Sequence, residues 1–392
     1  MRKIALFLIL SGFFVPAGCQ ETNKHIITIE NTLNLDRSFE TVEINKSALK
    51  LNQGEVFENL LVKDLEANKV LLSQFVDSNL DGEIDMLLFQ PEIGANATKK
   101  YELVVGDDPS KEETIDYCYS RFVPERTDDY AWENNKVAFR TFGPDAQYRF
   151  ENNLKKATLS SGIDGWLKRV EYPIINKWYK NDLEGKGSYH DDHGEGLDNF
   201  HVGVSRGVGG IAVKRDTIFY ISKNFTKWQT ITTGPLRTSF ILHYEDWDAN
   251  GDMISEIKHI SLDYGSNLSK FEIEITGTKT FHAGLTLHEK AGEDTHNLAS
   301  GWVSYWQPHD DSELGKGIVV PNNNMVSSEL YDTPVKDRSN LFAEIKVVDG
   351  KGVYYAGFGW EKANDFTSKE DWNAYLEDFS TKINNPLKVI LN

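Results

Sequence analysis

Residues 239–275 read SFILHYEDWDANGDMISEIKHISLDYGSNLSKFEIEI, and this stretch decides the fold class. Three runs rich in apolar and β-branched residues, 239–244, 257–262 and 270–275, are predicted to be strands. Turn residues such as Asn, Gly and Asp separate them, and no helical pattern lies between them. The stretch therefore indicates consecutive antiparallel strands.

Similar runs continue on both sides of this stretch. Further strands are predicted at Ile211–Val213, Thr217–Ser222, Thr230–Thr232, Ala283–His288, Trp302–Trp306, Ile318–Val320, Phe342–Val348 and Val353–Phe358. Ten or more such strands without strand–helix–strand alternation favour a large antiparallel β-sandwich. Residues 117–210 are less regular, with one helix expected near Leu154–Leu159. Thr367 and Glu370 predict a capping box that starts a C-terminal helix.

The chain before residue 117 is predicted to form a separate small β-sandwich. His25 to Ile29 and Thr41 to Ile44 alternate with period two, and three further short apolar runs follow. We therefore assign residues 25–108 to an N-terminal β-sandwich domain and residues 117–392 to a larger domain. The charged residues 107–116 read as a linker.

The N-terminus resembles a lipoprotein signal peptide. Arg2 and Lys3 precede a short apolar run, and Ala17-Gly18-Cys19 follows. The run is too short to cross a bilayer comfortably, which fits a cleaved signal over residues 1–18. We expect Cys19 to carry the lipid and residues 19–24 to form a tether. The alternative is an ordinary secretory signal with a chance cysteine.

Charge and cysteine content exclude several classes of protein. The 392-residue chain carries a formal charge of −18, and removing a signal with two basic and no acidic residues gives −20. Such a protein should not bind nucleic acid or an anionic membrane through its general surface, although a local basic pocket remains compatible. With Cys19 lipidated, Cys118 is left without a partner, so the core must hold the fold together.

The aromatic content is high, with 9 Trp, 16 Tyr and 21 Phe residues. In an exported protein without disulfides, Trp and Tyr often form stacking platforms for sugars. Large β cores also use aromatic residues, so both interpretations stay open.

Residues 189–201, YHDDHGEGLDNFH, form the densest polar cluster in the chain. Its glycines predict a shaped loop, which on a rigid β scaffold is a common place for catalysis. Tyr189, His190 and His193 are the candidate catalytic residues. A zinc or manganese site and a merely hydrogen-bonded loop are the alternatives.

Basic and aromatic residues alternate just upstream, between residues 166 and 180. In an acidic chain this pattern suits an anionic sugar, although Lys and Arg stems covering a sheet edge would look the same. The candidate substrate-binding residues, taken here and farther along the chain, are Lys168, Arg169, Lys177, Trp178, His201, Arg206 and His288. Arg121, Arg126 and Arg140 are weaker candidate cations.

Residues 77–85 resemble a calcium loop of the EF-hand type. Oxygen-bearing side chains alternate and Gly82 stands at the sixth position, but Leu88 replaces the Glu of the twelfth. The candidate ligands of a structural calcium ion are Asp77, Asn79, Asp81, Glu83 and Asp85. An acidic β-turn is the alternative, and no other cofactor is expected.

Several motifs together resemble an uncharacterised-domain family of Bacteroidetes lipoproteins from polysaccharide-utilisation loci. They are Arg121–Arg126, Ala131-Trp-Glu-Asn, Ala138-Phe-Arg, Trp166–Tyr179 and, most specifically, Tyr189-His-x-Asp-His-Gly-Glu-Gly. The resemblance covers most of the mature chain and implies the activity of an ulvan oligosaccharide dehydratase. It also implies a supersandwich or mutarotase-like large domain and a lipid anchor in the envelope of a Gram-negative bacterium, on the periplasmic or surface face of the outer membrane.

The implied reaction removes water from a non-reducing-end glucuronic or iduronic acid and leaves an unsaturated uronyl end. Its partner would be an anionic oligosaccharide carrying uronic acid and sulfate. His190 or His193 would be the base, Tyr189 the acid, and Arg206 and Lys177 would bind the carboxylate. A polysaccharide lyase with the same β-elimination and a non-catalytic glycan-binding lipoprotein are the alternatives.

Overall fold

The computed structural model describes residues 24–106 and 115–392. The signal peptide predicted at residues 1–18, Cys19 and the tether up to residue 23 lie outside the described residues, as does most of the predicted linker. Among the described residues, no helix is long and apolar enough to cross a membrane.

Two sheets share one core in the N-terminal part, as expected for a small sandwich. Their strands are β1 His25–Glu30, β2 Val42–Asn45, β3 Leu60–Asp64, β4 Lys69–Val70, β5 Ser73–Val76, β6 Met86–Phe89 and β7 Thr98–Val105. One sheet has the order β1-β7-β3-β4 and the other the order β2-β6-β5. Side chains such as Ile27, Phe57, Leu87 and Tyr101 fill the space between them.

Residues 117–210 are more regular than their sequence indicates. They form a sheet of the order β12-β11-β10-β9-β8. Its strands are β8 Tyr119–Val123, β9 Asp129–Glu133, β10 Ala138–Thr141, β11 Asp164–Lys168 and β12 Gly196–Leu197, and two helices accompany them, α1 Pro144–Glu151 and α2 Ile175–Leu183.

The prediction of a helix near Leu154–Leu159 is wrong. Helix α1 lies just before that range and begins at Pro144, whose fixed φ suits the first turn. Asn153 and Lys156 take left-handed φ values of 55° and 56°, which a continuing helix does not allow. This segment instead forms a loop after α1 in which residues 154–156 are exposed and residues 157–159 are partly buried.

The large antiparallel sandwich is confirmed. Its strands are β13 Val208–Arg215, β14 Ile218–Tyr220, β15 Lys227–Thr232, β16 Arg237–His243, β17 Trp247–Ala249, β18 Asp252–Asp263, β19 Leu268–Thr276, β20 Thr280–Thr286, β21 Glu293–Asn297, β22 Trp302–His309, β23 Ser312–Val319, β24 Met325–Tyr331, β25 Asn340–Lys346 and β26 Lys351–Trp360. One sheet has the order β14-β13-β20-β25-β24. The other has the order β15-β16-β18-β19-β26-β23-β22-β21, with β17 paired to β18. A continuous apolar core lies between the two sheets.

The C-terminal helix packs on the large sandwich, and the last strand joins the N-terminal sheet. Helix α3, Lys369–Asn384, places Trp372 and Leu376 against Gly315 and Gly317 of β23. The last strand, β27 Lys388–Leu391, pairs antiparallel with β1. The chain therefore ends in the N-terminal sheet, whereas the sequence predicts that residues 117–392 form one larger domain.

The start of α3 differs by one residue from the predicted capping box. Ser368 is the N-cap, and its hydroxyl accepts the backbone N–H of Asp371 at 3.1 Å. Thr367 instead donates its hydroxyl to the Asp371 carboxylate. Replacing Ser368 with Ala should lower the free energy of unfolding by about 1 kcal/mol, because a helix N–H loses its acceptor. Urea unfolding should show a smaller loss for Thr367→Ala, and the reverse order would contradict this assignment.

Candidate functional site

A cavity of about 520 Å³ lies beside the sheet formed by β8 to β12. Its wall includes residues of β10 and β11, the loop that flanks β12, and residues 157–159 and 202–204. Its titratable side chains are Arg126, Arg140, Asp164, His190, Asp198, His201 and Asp337. A volume of this size and a few convergent polar groups are typical of a small-molecule site.

Arg140 is the electrostatic centre of the cavity wall. Its Nε donates to Asp164 at 2.7 Å and its Nη2 to Asp198 at 2.7 Å. Asp129 lies 3.6 Å from Nη1. Because all four side chains are buried, these charge-assisted hydrogen bonds fix the guanidinium in one position.

Three buried carboxyl groups around one guanidinium do not all remain easily ionised. Burial raises the pKa of Asp129 to about 6. Burial and the charge of Asp198 raise the pKa of Asp164 well above its usual value. Burial alone would lower the pKa of Arg140, but the surrounding carboxylates raise it, so this residue stays charged. The cluster therefore binds protons more readily than exposed aspartates do.

The pKa of Asp129 predicts a pH-dependent stability. The folded protein holds a proton on this carboxyl up to about pH 6, whereas an unfolded chain releases it near pH 3.8. The protonated carboxyl therefore stabilises the fold below pH 3.8, and this stabilisation is lost as the pH rises through 6. Asp129→Asn cannot ionise. The unfolding free energy of this variant relative to wild type should therefore rise between about pH 4 and about pH 7. Urea unfolding across that range measures it, and a difference independent of pH would contradict the prediction.

Tyr189 is buried and does not line the main cavity, but its hydroxyl lies between two cationic side chains that do, Arg126 and Arg140. Its hydroxyl oxygen accepts the Nε–H of Arg126 at 3.0 Å and an N–H of Arg140 at 3.4 Å. The ring stacks on Trp166, with centroids 5.0 Å apart, so it has little freedom to move. Because both arginines donate to the oxygen, the hydroxyl proton is left to point to another acceptor.

His190 is the next residue, and its side chain lines the main cavity. Its Nδ1 lies 2.7 Å from the backbone carbonyl oxygen of Asp198. A carbonyl oxygen only accepts, so Nδ1 carries the hydrogen and the neutral ring keeps a lone pair on Nε2. Within the described residues Nε2 has no hydrogen-bond partner, and the side chain is 57% exposed. The ring centroids of Tyr189 and His190 are 4.5 Å apart.

Four of the predicted residues line a separate cavity instead: Tyr189, His193, Lys177 and Trp178. His193 contacts the carbonyl oxygen of Ser188 at 3.2 Å and lines this cavity of about 70 Å³ with Lys177 and Trp178. Lys177 donates to Glu195 at 2.6 Å, and the indole N–H of Trp178 donates to the same carboxylate at 3.1 Å. The main cavity therefore gives no support for a catalytic role of His193 or for substrate contacts of Lys177 and Trp178.

Lys168 and Arg169 have structural partners instead. Lys168 is fully buried and donates to Glu133 at 2.8 Å. Glu133 also accepts the backbone N–H groups of Ile174 and Ile175 at the start of α2. Arg169 pairs with Asp192 at 2.7 Å, away from the cavity. The prediction that these two cations bind substrate is not supported, because both are used to hold α2 and the 189–201 loop.

Arg206 is buried in the large sandwich, beneath the cavity wall. It donates to the Ser161 hydroxyl at 3.0 Å and to the carbonyl oxygens of Ile211 and Val204 at 3.1 Å. Burial lowers its pKa to about 10. Its guanidinium is not exposed to a ligand, so the expected carboxylate grip by Arg206 is wrong in this structure.

His201 and His288 lie at a second cavity of about 450 Å³ that adjoins the first. His201 contacts Asp337 at 3.0 Å, and both residues line the two cavities. His288 lies beyond the end of β20 with a left-handed φ of 42°, and its Nε2 contacts the carbonyl oxygen of His201 at 3.1 Å. Of the predicted binding residues, only His201 therefore lines the main cavity.

The predicted calcium loop is closed by its own backbone. Asp77 accepts the N–H groups of Asp81 and Gly82, and Asp81 accepts that of Glu83. Asp85 accepts the N–H and hydroxyl of Ser78. In residues 24–106 and 115–392 no group of three or more acidic, His or Cys side chains is placed to hold a metal ion. The arrangement favours an acidic β-turn over a calcium site, for which Asn79 and Glu83 are the remaining candidate ligands beside Asp77, Asp81 and Asp85.

The charged residues in and around the cavity wall carry weak signals in the sequence. Arg126 and Arg140 are only weak candidates from the sequence, and no sequence pattern singles out Asp129 or Asp164. One signal was available for Arg140, since a charge inside the apolar run Ala138-Phe-Arg-Thr141 is expensive to bury without partners.

Comparison with known proteins places the chain in context. It matches the model of a family described as "Domain of unknown function (DUF4861)" over residues 29–389. It is 55% identical over 384 residues to "Uncharacterized protein P7" of Formosa agariphila, covering 98% of this chain and 97% of that protein. Its fold is similar to that of a solved protein in the Glycosyl Hydrolase Family 38 from Enterococcus faecalis, with a TM-score of 0.51 and 12% identity over 95% of this chain. The chain spans 48% of that structure, and the likeness concerns the fold alone.

Proposed function

The chain belongs to the DUF4861 family, and we propose that it is a dehydratase that eliminates water from the non-reducing-end uronic acid of ulvan-type oligosaccharides. The observation that carries the proposal is the pair of consecutive residues Tyr189 and His190. The imidazole of His190 lines the main cavity, and the buried hydroxyl of Tyr189 contacts the two guanidinium groups that line it, Arg126 and Arg140.

Elimination from a uronate makes three demands on a protein. The carboxylate must be neutralised, because its charge opposes formation of a carbanion on the adjacent carbon. A base must remove the hydrogen from that carbon, and an acid must protonate the departing hydroxyl group. Each demand corresponds to a residue that lines this cavity or contacts its arginines directly.

His190 suits the role of the base. The hydrogen bond from Nδ1 to the Asp198 carbonyl oxygen fixes the tautomer and leaves Nε2 as the acceptor of a proton. The carboxylate of Asp198 lies 3.6 Å from the same nitrogen and would stabilise the imidazolium that forms. Asp198 is thus a positioning residue for His190.

Tyr189 suits the role of the acid. Two guanidinium groups donate to its oxygen, so negative charge that develops there when the proton leaves would be stabilised. In the proposed reaction the C–H bond breaks as His190 takes the proton, a C=C bond forms, and the C–O bond breaks as Tyr189 protonates the hydroxyl. Water is released, and the proton passes back from His190 to Tyr189 or through solvent to complete the cycle.

Arg126 suits the role of the carboxylate partner. Its Nε contacts Tyr189 and its Nη1 contacts Thr127, while Nη2 has no partner in the described part of the chain. The side chain lines the cavity and is only partly buried. A guanidinium so placed can bind the uronate through charge-assisted hydrogen bonds without losing its other contacts.

The requirement for a carboxylate can be tested on the substrate. Two oligosaccharides would be compared, one ending in a saturated uronic acid and one in which that end has been reduced to the neutral sugar. Ultraviolet absorbance of a conjugated unsaturated uronate should appear only with the first. If neither substrate gives an increase in absorbance, the proposed activity is wrong. If both substrates are consumed equally, the carboxylate is not needed for the reaction.

We further propose that the protein acts in the cell envelope, anchored by a lipid on Cys19. The sequence pattern of Arg2, Lys3 and Ala17-Gly18-Cys19 supports this. A strongly acidic chain has little other attraction to an anionic membrane, so the lipid would be its membrane contact.

A further inference from the structure

Phe150 is an aromatic residue at the cavity that the core does not use. It lies near the C-terminal end of α1, lines the cavity and is 51% exposed. It belongs to none of the apolar clusters formed by the described residues, and its ring makes no aromatic or cation contact there. An exposed large apolar side chain at the edge of a polar cavity is more informative than one scattered elsewhere on the surface.

The cavity changes character from its charged wall to this edge. Arg140, Asp164 and Asp198 are almost fully buried, whereas Phe150 and Val204 keep their apolar surface in contact with water. A chain-end sugar matches this gradient, because its charged ring would occupy the polar part and the next ring would emerge past the aromatic residue. Sugar rings present apolar C–H faces that pack on aromatic rings.

We propose that Phe150 is the stacking platform of a second sugar subsite, so that the protein recognises the pyranose that follows the reacting uronic acid. This inference rests on the proposed function. It assigns to Phe150 recognition of the second ring and no part in the chemical step.

The structure offers a matched control on the same helix. Tyr148 is also aromatic and is 59% exposed, but it does not line the cavity. Substitution of either residue removes an exposed ring from α1, so their effects on folding should be alike. The difference between the two variants therefore isolates contact with the substrate.

The experiment compares the full-length protein with Phe150→Ala, Phe150→Trp and Tyr148→Ala on two substrates. One is the methyl glycoside of the uronic acid, with a single ring, and the other is a uronyl disaccharide. Phe150→Ala should lower the ratio of kcat/KM for the disaccharide to that for the methyl glycoside by about five- to tenfold, chiefly through KM. Phe150→Trp should restore the ratio, and Tyr148→Ala should leave it unchanged.

The outcomes separate this inference from the proposed activity. An equal loss on both substrates, or no loss on either, would overturn the subsite. If the wild type converts neither substrate, the proposed elimination is wrong, and calorimetry with the same two ligands then decides the subsite. Weaker disaccharide binding in Phe150→Ala, but not in Tyr148→Ala, would support it. Equal dissociation constants, or no binding to the wild type, would overturn it.

Discussion

His190→Ala should lower kcat at least about a hundredfold, whereas His193→Ala should leave it within about twofold of wild type. The imidazole of His190 lines the main cavity with its Nε2 unpartnered among the described residues. His193 lies only three residues away, but it lines a different and much smaller cavity. The two substitutions are chemically identical, so the comparison tests position.

The measurement is the initial rate of absorbance increase from the unsaturated product under saturating substrate. Circular dichroism of both variants provides the control for folding, and we expect wild-type spectra because both side chains are largely exposed. Equal rates for the two variants would remove His190 from the mechanism. A lower rate for His193→Ala alone would show that His193, in the smaller cavity beside Glu195, is the base.

Glu133→Ala should destabilise the protein by about 3–5 kcal/mol, the largest effect on stability that we expect from a single substitution. Glu133 and Lys168 are both fully buried, with Nζ and Oε2 2.8 Å apart. Removal of the carboxylate leaves the charge of Lys168 without its counter-ion and the N–H groups of Ile174 and Ile175 without their acceptor. Both losses occur away from water, where they are not compensated.

An exposed ion pair provides the control for this prediction. Lys351 and Glu274 also lie 2.8 Å apart, but their side chains are 62% and 41% exposed. Glu274→Ala should therefore change the free energy of unfolding by at most about 1 kcal/mol. Urea unfolding followed by circular dichroism measures both variants. A loss for Glu133→Ala no greater than that for Glu274→Ala would show that the buried pair does not hold α2 in place.

The strands of the large sandwich could be predicted because the sequence marks them locally. Runs such as 270–275 are bounded by turn residues, and each predicted strand from residue 211 onward overlaps an observed one. Strand β21 is not predicted because all of its residues are polar, and β24 is not predicted because Ser327, Ser328 and Glu329 interrupt its apolar residues. Helix α2 is not predicted for a different reason, since its start is stabilised by Glu133, 42 residues before Ile175.

The site was predictable only in part. The 189–201 loop stands out by composition, and His190 lines the cavity, while the Tyr189 hydroxyl contacts two arginines that line it. The choice between His190 and His193 depends on how the loop folds against Asp198 and Ser188, which spacing does not reveal. The roles of the cationic residues are harder to predict, because an exposed and a buried arginine look alike in a sequence. Arg206, a strong candidate, is enclosed by backbone carbonyls, while Arg126, a weak one, faces the cavity.

The mass of the product tests the central claim most directly. The mature protein without Cys19 would be incubated with a saturated uronyl oligosaccharide, and the products would be weighed by mass spectrometry while absorbance is recorded. We expect an intact oligosaccharide that has lost one water, together with rising absorbance. Rising absorbance with a shortened chain would instead make the protein a lyase. An unchanged oligosaccharide, even one that binds, would contradict the proposal that this cavity eliminates water.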